Sequence, residues 1–439
     1  MKKFAFIGAG SLAFTRCIVR DLLTFPAFRD CEIRLMDINA ERLDMVTKVC
    51  RRIREKMNCP EVKIVSTQSR AEALDGADGV LCTVFSAGTD VWRYEIEIPK
   101  KFGVDINVGD TRSVSGIFRA QRDIPLLLDI CADIEKYCPD AVFLNYTNPM
   151  SMLCKAMQTY TKVDVTGLCH SVQGTAGMLA GWLGYKQEDV DYLCAGVNHQ
   201  AFYLRFEHEG KSLYPQLSEK LSDPEYYNKE QVRNEMFLAL GYYCTESSGH
   251  NSEYNQWFRK RPDLIEKYCT HGTGWNPGHY AYSLNLRIER DKGGWKKVFE
   301  DEMASDKFDA ARSREYAAEI FNARIGDHTP FTFNGNVINE GCLPDLPADC
   351  CVEIPVTADR AGYHKQYVGK IPAHLAILLN TTARVENLAV EAAMEKSKEK
   401  VYRALCFDPL TSAVCSLAEI REMTNQLFEA NRDYLKDYK

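Results

Sequence analysis

The hydrophobic pattern opens with a short apolar run from Lys3 to Ile7 that meets glycines at once. Apolar positions at helical spacing follow over 12–25, and CEIRLM (31–36) reads as a second strand ending at Asp37. Residues 78–84 (DGVLCTV) and 141–145 (AVFLN) read as further buried strands, with helical stretches around 40–57 and 119–137. Strands alternating with helices to about residue 150 predict a doubly wound parallel sheet. Asn148-Pro149 ends the last of these at the carboxyl edge, where ligands bind in such sheets. From residue 160 the pattern changes. DVTGLCH is strand-like, a helix runs to about 183, and CAGVNHQAFYLRFEHEGKSLYP alternates like a hairpin with a turn near Glu209-Gly210. Residues 224–320 read mainly as helix, 329–357 as β-rich and 372–437 as helix, with no repeat and no clear linker. The fold class is α/β: a Rossmann-type unit over 1–160 and an α+β substrate unit over 161–439, packed tightly together.

The first turn reads Gly8-Ala9-Gly10-Ser11-Leu12-Ala13, which fits G-x-G-x-x-G/A with alanine in the third place. Gly8 permits the tight turn, Gly10 lets the backbone approach a pyrophosphate, and Ala13 is small enough for the helix to lie on the strand. The helix start, from Ser11, offers unpaired N–H groups to phosphate. Asp37 can accept from a ribose 2′-hydroxyl and would repel a 2′-phosphate, so NAD is expected over NADP.

Composition narrows the class. The chain has 439 residues, 45% hydrophobic and 26% charged, as in a globular protein with a substantial core. No apolar stretch reaches membrane-spanning length, and the opening run is too short for a secretory signal. The net charge of −7, with no basic block, argues against nucleic acid as a partner. Seventeen scattered cysteines with no CxxC pair suggest reduced thiols in cytoplasm and no structural zinc site.

Four clusters carry candidate chemistry: Gly109-Asp110-Thr111; Asn148 with Cys169 and His170; Val197-Asn198-His199; and 249–254, which holds His250 and Tyr254. Cys169 and His199 are a soft pair for a divalent transition metal. Affinity alone would favour zinc or iron over manganese. Taken singly, Cys169 also reads as one more buried thiol, His199 as a histidine satisfied by backbone bonds, Asp110 as a turn cap and Tyr254 as an interface aromatic.

Taken together, GAGS, GDT, NYTNPM, GLCHSVQGT, AGVNH and the closing CCVEIPV…IPAHLA resemble glycoside hydrolase family 4, nearest its α-galactosidase (melibiase) branch. The resemblance runs from residue 3 to about 420 and is weakest over 260–312. It implies a lactate/malate dehydrogenase-like architecture, NAD and a divalent metal such as Mn2+. It also implies hydrolysis by transient C3 oxidation, removal of the C2 proton, elimination at C1, water addition and return of the hydride. By the same resemblance Cys169 and His199 hold the metal, Tyr254 is the base, and His170, with Asp110 as second candidate, protonates the leaving group. Asn148 bonds a sugar hydroxyl, and His250 lines the pocket or adds a ligand. A homodimer or homotetramer is implied, with exposed aromatics in 242–282 as interface candidates. After GDT the chain reads RSVSGIFRA, where that branch carries a GPGG-type loop, and Arg112 there could meet a carboxylate. An α-galacturonide or α-glucoside substrate therefore stays open. A phosphorylated sugar finds no basic cluster. Other readings are an NAD-dependent 2-hydroxy acid dehydrogenase, which needs a His–Asp pair and net NADH production, and a non-catalytic NAD sensor.

Overall fold

Six parallel strands, β1 (Lys3–Ile7), β2 (Glu32–Met36), β3 (Lys63–Thr67), β4 (Gly79–Cys82), β5 (Val142–Asn145) and β6 (Asp164–Leu168), pair in the order β3-β2-β1-β4-β5-β6. This is the Rossmann order, found in a computed structural model that describes residues 1–272, 276–305 and 307–439. The parallel part includes β6, beyond the boundary expected at residue 160. The sheet then continues without a break. β7 (Asp191–Val197), β8 (Gln200–His208), β9 (Lys211–Ser212), β10 (Phe331–Ile338) and β11 (Cys351–Asp359) extend it antiparallel in the order β6-β10-β11-β7-β8-β9, with β12 (Gly362–Lys365) beside β11.

Burial explains which elements the sequence pattern reveals. Every residue of β4 and β5 is buried, as expected of strands covered on both faces. β3, not anticipated, is an edge strand in which only Ile64 is buried, so its pattern is too polar to stand out. The helix expected from residue 119 starts at Ser113, and every residue from Ser113 to Ile124 is buried. A helix start buried all round has no amphipathic period to read. Arg112, expected in a loop, is the N-cap of this helix. The helix Gly88–Lys101 was also not anticipated.

The turn expected near Glu209-Gly210 is present, and a second one precedes it. Val197 pairs with Gln200, so the tight turn joining β7 to β8 is Asn198-His199, while Glu209-Gly210 joins β8 to the short β9. Among the described residues from Pro224 to Ile325 the chain is mainly helical, as expected. The aromatics of 242–282, expected on the surface, are not exposed where described. Phe258 is buried in the core, with Tyr242, Trp257 and Tyr268 packed against it, and Trp275 lies outside the described residues. Helices Ala373–Glu395, Lys398–Phe407 and Leu417–Ala430 complete the fold, the first two packing on helix Ser113–Tyr137. Among the described residues no helix is long and apolar enough to cross a membrane.

Candidate active site

The dinucleotide turn follows β1. Gly8 has φ +83°, and a Cβ there would lie 2.7 Å from the Thr83 carbonyl oxygen. The turn thus admits only glycine. Gly10 donates its N–H to Asp37 Oδ2 at 2.8 Å, and Asn39 donates to Asp37 Oδ1 at 2.8 Å. These two bonds set the Asp37 carboxylate against the turn. Ser11 caps helix Leu12–Leu23 without a side-chain hydrogen bond, so the first-turn N–H groups remain open to an anion.

The chemical cluster forms beside it, at the carboxyl ends of β5 and β6. Asn148 lies three residues past β5, and Cys169 follows β6 directly. The β7–β8 turn carries His199 at φ +63°, and the residue before the cap of helix Ser248–Tyr254 is Glu246 at φ +67°. Two non-glycine residues held in the left-handed region within one cluster mark it as a site where the fold enforces geometry.

Cys169 Sγ lies 3.2 Å from His199 Nε2, and Glu246 Oε2 lies 3.6 Å from the same nitrogen. These three donors form one potential metal group, and Asp110, His199 and His250 form another. His199 Nδ1 sits 3.2 Å from Thr111 Oγ1 and 3.3 Å from Tyr254 OH. Thr111 Oγ1 donates to Asp110 Oδ1 at 2.8 Å, so its lone pair is what meets His199. The network therefore assigns the proton to Nδ1 and leaves Nε2, which faces the thiol, as the free donor. A ligating histidine is commonly oriented by such an outer bond. Burial, reinforced by the His250 charge and not overcome by Glu246, holds His199 down at about 4, neutral as a ligand must be. His250 is pulled the other way. Burial opposes its charge, but Glu246 and Asp110 outweigh burial and raise it to about 9. It sits as a cation between their carboxylates, with Glu246 Oε1 at 3.3 Å and Asp110 Oδ1 at 3.7 Å. Of the two groups, Cys169–His199–Glu246 is the one that sets a thiol against the free Nε2 of His199. Burial and the carboxylates of Glu353 and Glu246 push the Cys169 thiol well up, so its thiolate requires a cation beside it.

The remaining expected residues fall around this centre. Asn148 Nδ2 donates to Asp110 Oδ2 at 3.3 Å, while its buried Oδ1 has no partner among the described residues and can accept from a ligand hydroxyl. Tyr254 is buried, with the Arg112 guanidinium 4.8 Å from its ring centroid. Arg112 donates Nε to Glu386 at 2.8 Å and Nη2 to the Asn198 carbonyl. His170 stands apart from the cluster: its side chain is 60% exposed, 3.7 Å from Glu315 and beside the Phe14 ring of the first helix. Two functional candidates, Glu246 and Glu386, were not anticipated. Glu246 lies four residues before His250, a spacing that could have drawn notice; Glu386 carries no local signal.

The comparison with known proteins decides the family. The sequence matches the description Family 4 glycosyl hydrolase over residues 3–185 and that family's C-terminal domain over 194–411. The chain belongs to glycosyl hydrolase family 4. Within family 4, an α-galactosidase of Bacillus subtilis (strain 168) is 37% identical over the whole of both chains. An α-galactosidase of Rhizobium meliloti (strain 1021) is 34% identical over 99% of this chain and 89% of its own. A solved 6-phospho-α-glucosidase from gut microorganisms, in complex with NAD and Mn2+, superposes with a TM-score of 0.80 at 20% identity, covering all of both chains, and shares the fold.

Proposed function

We propose that the protein hydrolyses α-galactosides, using NAD held by Gly8, Gly10, Ser11 and Asp37 and a divalent metal, Mn2+, held by Cys169 and His199 with Glu246. The observation that carries the proposal is the convergence of a thiol, an imidazole and a phenol within 3.3 Å of one another's atoms along a chain Cys169–His199–Tyr254, beside the dinucleotide turn. A 2-hydroxy acid dehydrogenase has no use for that thiol. When bound, NAD supplies a reversible hydride acceptor for the sugar's C3, and the metal supplies a Lewis acid for its vicinal oxygens.

The chain's own groups do the rest. Tyr254 takes the C2 proton; burial and the Asp110 and Glu253 carboxylates push its phenol well up, and the Arg112 cation over its ring works the other way, toward the phenolate. Asn148 Oδ1 accepts from a sugar hydroxyl. His250 and Asp110 brace each other behind it. His170, which stands outside the cluster, is assigned the protonation of the departing alcohol by its place in the family motif, while Asp110, engaged by Thr111 and Asn148, orients. In this reading 1–160 carries NAD and 161–439 the metal, with Asp110 and Asn148 reaching across. The sugar is neutral: the Arg112 charge that raised a galacturonide substrate is already met by Glu386. We place the protein in the cytoplasm, where its seventeen unpaired cysteines stay reduced.

The test is a panel of nitrophenyl α-glycosides with and without NAD, Mn2+ and reductant. The α-galactoside is hydrolysed fastest and needs all three. Full activity after exhaustive removal of both NAD and metal contradicts the proposal, and preference for the galacturonide contradicts the neutral sugar.

A further inference from the structure

Directly before Tyr254 stands Glu253, a fully buried carboxylate with no Lys or Arg nitrogen at ion-pair distance among the described residues. Burial pushes this carboxyl up, and the His250 charge and a set of backbone N–H groups work against that. Oε2 accepts from the N–H of Asn107 at 2.7 Å and of Val108 at 2.8 Å, and Oε1 accepts from the N–H of Gly109 at 2.9 Å. Three consecutive amides curl around one carboxylate, an arrangement made for an anion. It requires the loop to turn sharply, which Gly109 allows at φ +72°. The far side of the loop is held too: the Gly109 carbonyl accepts from Ser115 Oγ at 2.5 Å and from Trp92 Nε1 at 3.3 Å. The next three residues are Asp110, Thr111 and Arg112. All three act on the site: Asp110 on Asn148 and His250, Thr111 on His199, and Arg112 on the Tyr254 ring.

We infer that Glu253 is a positioning residue that locks the base to the loop facing it. Tyr254 and the Asp110–Arg112 segment arrive from parts of the chain 146 residues apart at the first of these bonds. Glu253 joins the two walls through a single rigid side chain, so its carboxylate sets where the phenol stands relative to Arg112 and His199. Both carboxylate oxygens are needed as acceptors for this work. A glutamine at 253 has one acceptor oxygen, and its NH2 would face at least one of the three N–H groups. Glu253 touches neither sugar nor cofactor in this arrangement, and the inference rests on Tyr254 being the base proposed above.

The experiment measures kcat, KM, Mn2+ affinity and the isotope effect of a C2-deuterated nitrophenyl α-galactoside on the NAD-loaded enzyme, for wild type, Glu253→Gln and Glu253→Asp. Misplacing the base slows proton removal, so kcat of Glu253→Gln falls about 10- to 100-fold, with KM changed less than about 3-fold on the same argument. The isotope effect rises above that of wild type. Glu253→Asp keeps both oxygens on a shorter stem, so it shows the same signature to a smaller extent, and it serves alone if the glutamine variant does not fold. An unchanged kcat and isotope effect in the folded variants, with only a lower Tm, makes Glu253 a structural brace and overturns the inference. A wild type that retains deuterium at C2 overturns instead the assignment of Tyr254, which separates the two failures.

Discussion

The dinucleotide turn and the metal pocket share one edge of one sheet, yet they are built in opposite ways. The turn is local and made of backbone: Gly8, Gly10 and Asp37 lie within one strand–helix–strand unit, and its fixed bonds run from Gly10 and Asn39 to Asp37. The pocket is made of side chains brought from six separate places, at Asp110, Asn148, Cys169, His199, Glu246 and Tyr254. A backbone site depends on which residues can adopt its turn. A side-chain site depends on the register of the whole sheet and on braces such as Glu253. Damage to one should therefore leave the other standing.

The sharpest way to break that comparison is Cys169→Ser. We expect it to lose the metal on dialysis and more than about 100-fold of activity, since even outer-shell changes at metal sites cost 10- to 100-fold. NAD affinity, measured by fluorescence titration, should hold. Retained metal and activity would remove Cys169 from the site. Next in size, Tyr254→Phe should lower kcat by about 100- to 10,000-fold, the usual worth of a general base, with metal content and NAD affinity intact. The smallest effect is on the other side: Asp37→Ala should raise the Kd for NAD by about 10-fold, the loss of a charge-assisted bond, while metal content stays at the wild-type level. Metal lost from the Asp37 variant would show that the two regions are coupled.

The same division decides what could be read in the sequence. β1, the Gly8–Ala13 turn and Asp37 declare themselves because the residues that make the contact are close in the chain. Cys169 and His199 carry chemistry in their residue types, and the distinctive GLCHSVQGT and AGVNH stretches drew attention to them; their 3.2 Å contact depends on β10 and β11 lying between β6 and β7, which no local pattern encodes. Arg112 looked like a cation awaiting a carboxylate because its partner, Glu386, stands 274 residues away. Helix Ser113–Tyr137 was read six residues short because its buried first turns have no polar face. The Asn198-His199 turn was missed because it contains no glycine, the histidine itself taking the left-handed conformation. Glu253 lies within the 249–254 cluster, but its role is not legible there, since its partners are backbone amides and carry no residue-type signal at all.

The central claim is that the sugar is cleaved by elimination with Tyr254 drawing the proton from C2. The most direct measurement follows a nitrophenyl α-galactoside deuterated at C2 through complete hydrolysis in ordinary water, with the galactose analysed by mass spectrometry. The account predicts that the label is washed out of the product. Galactose that keeps its deuterium in full would contradict it.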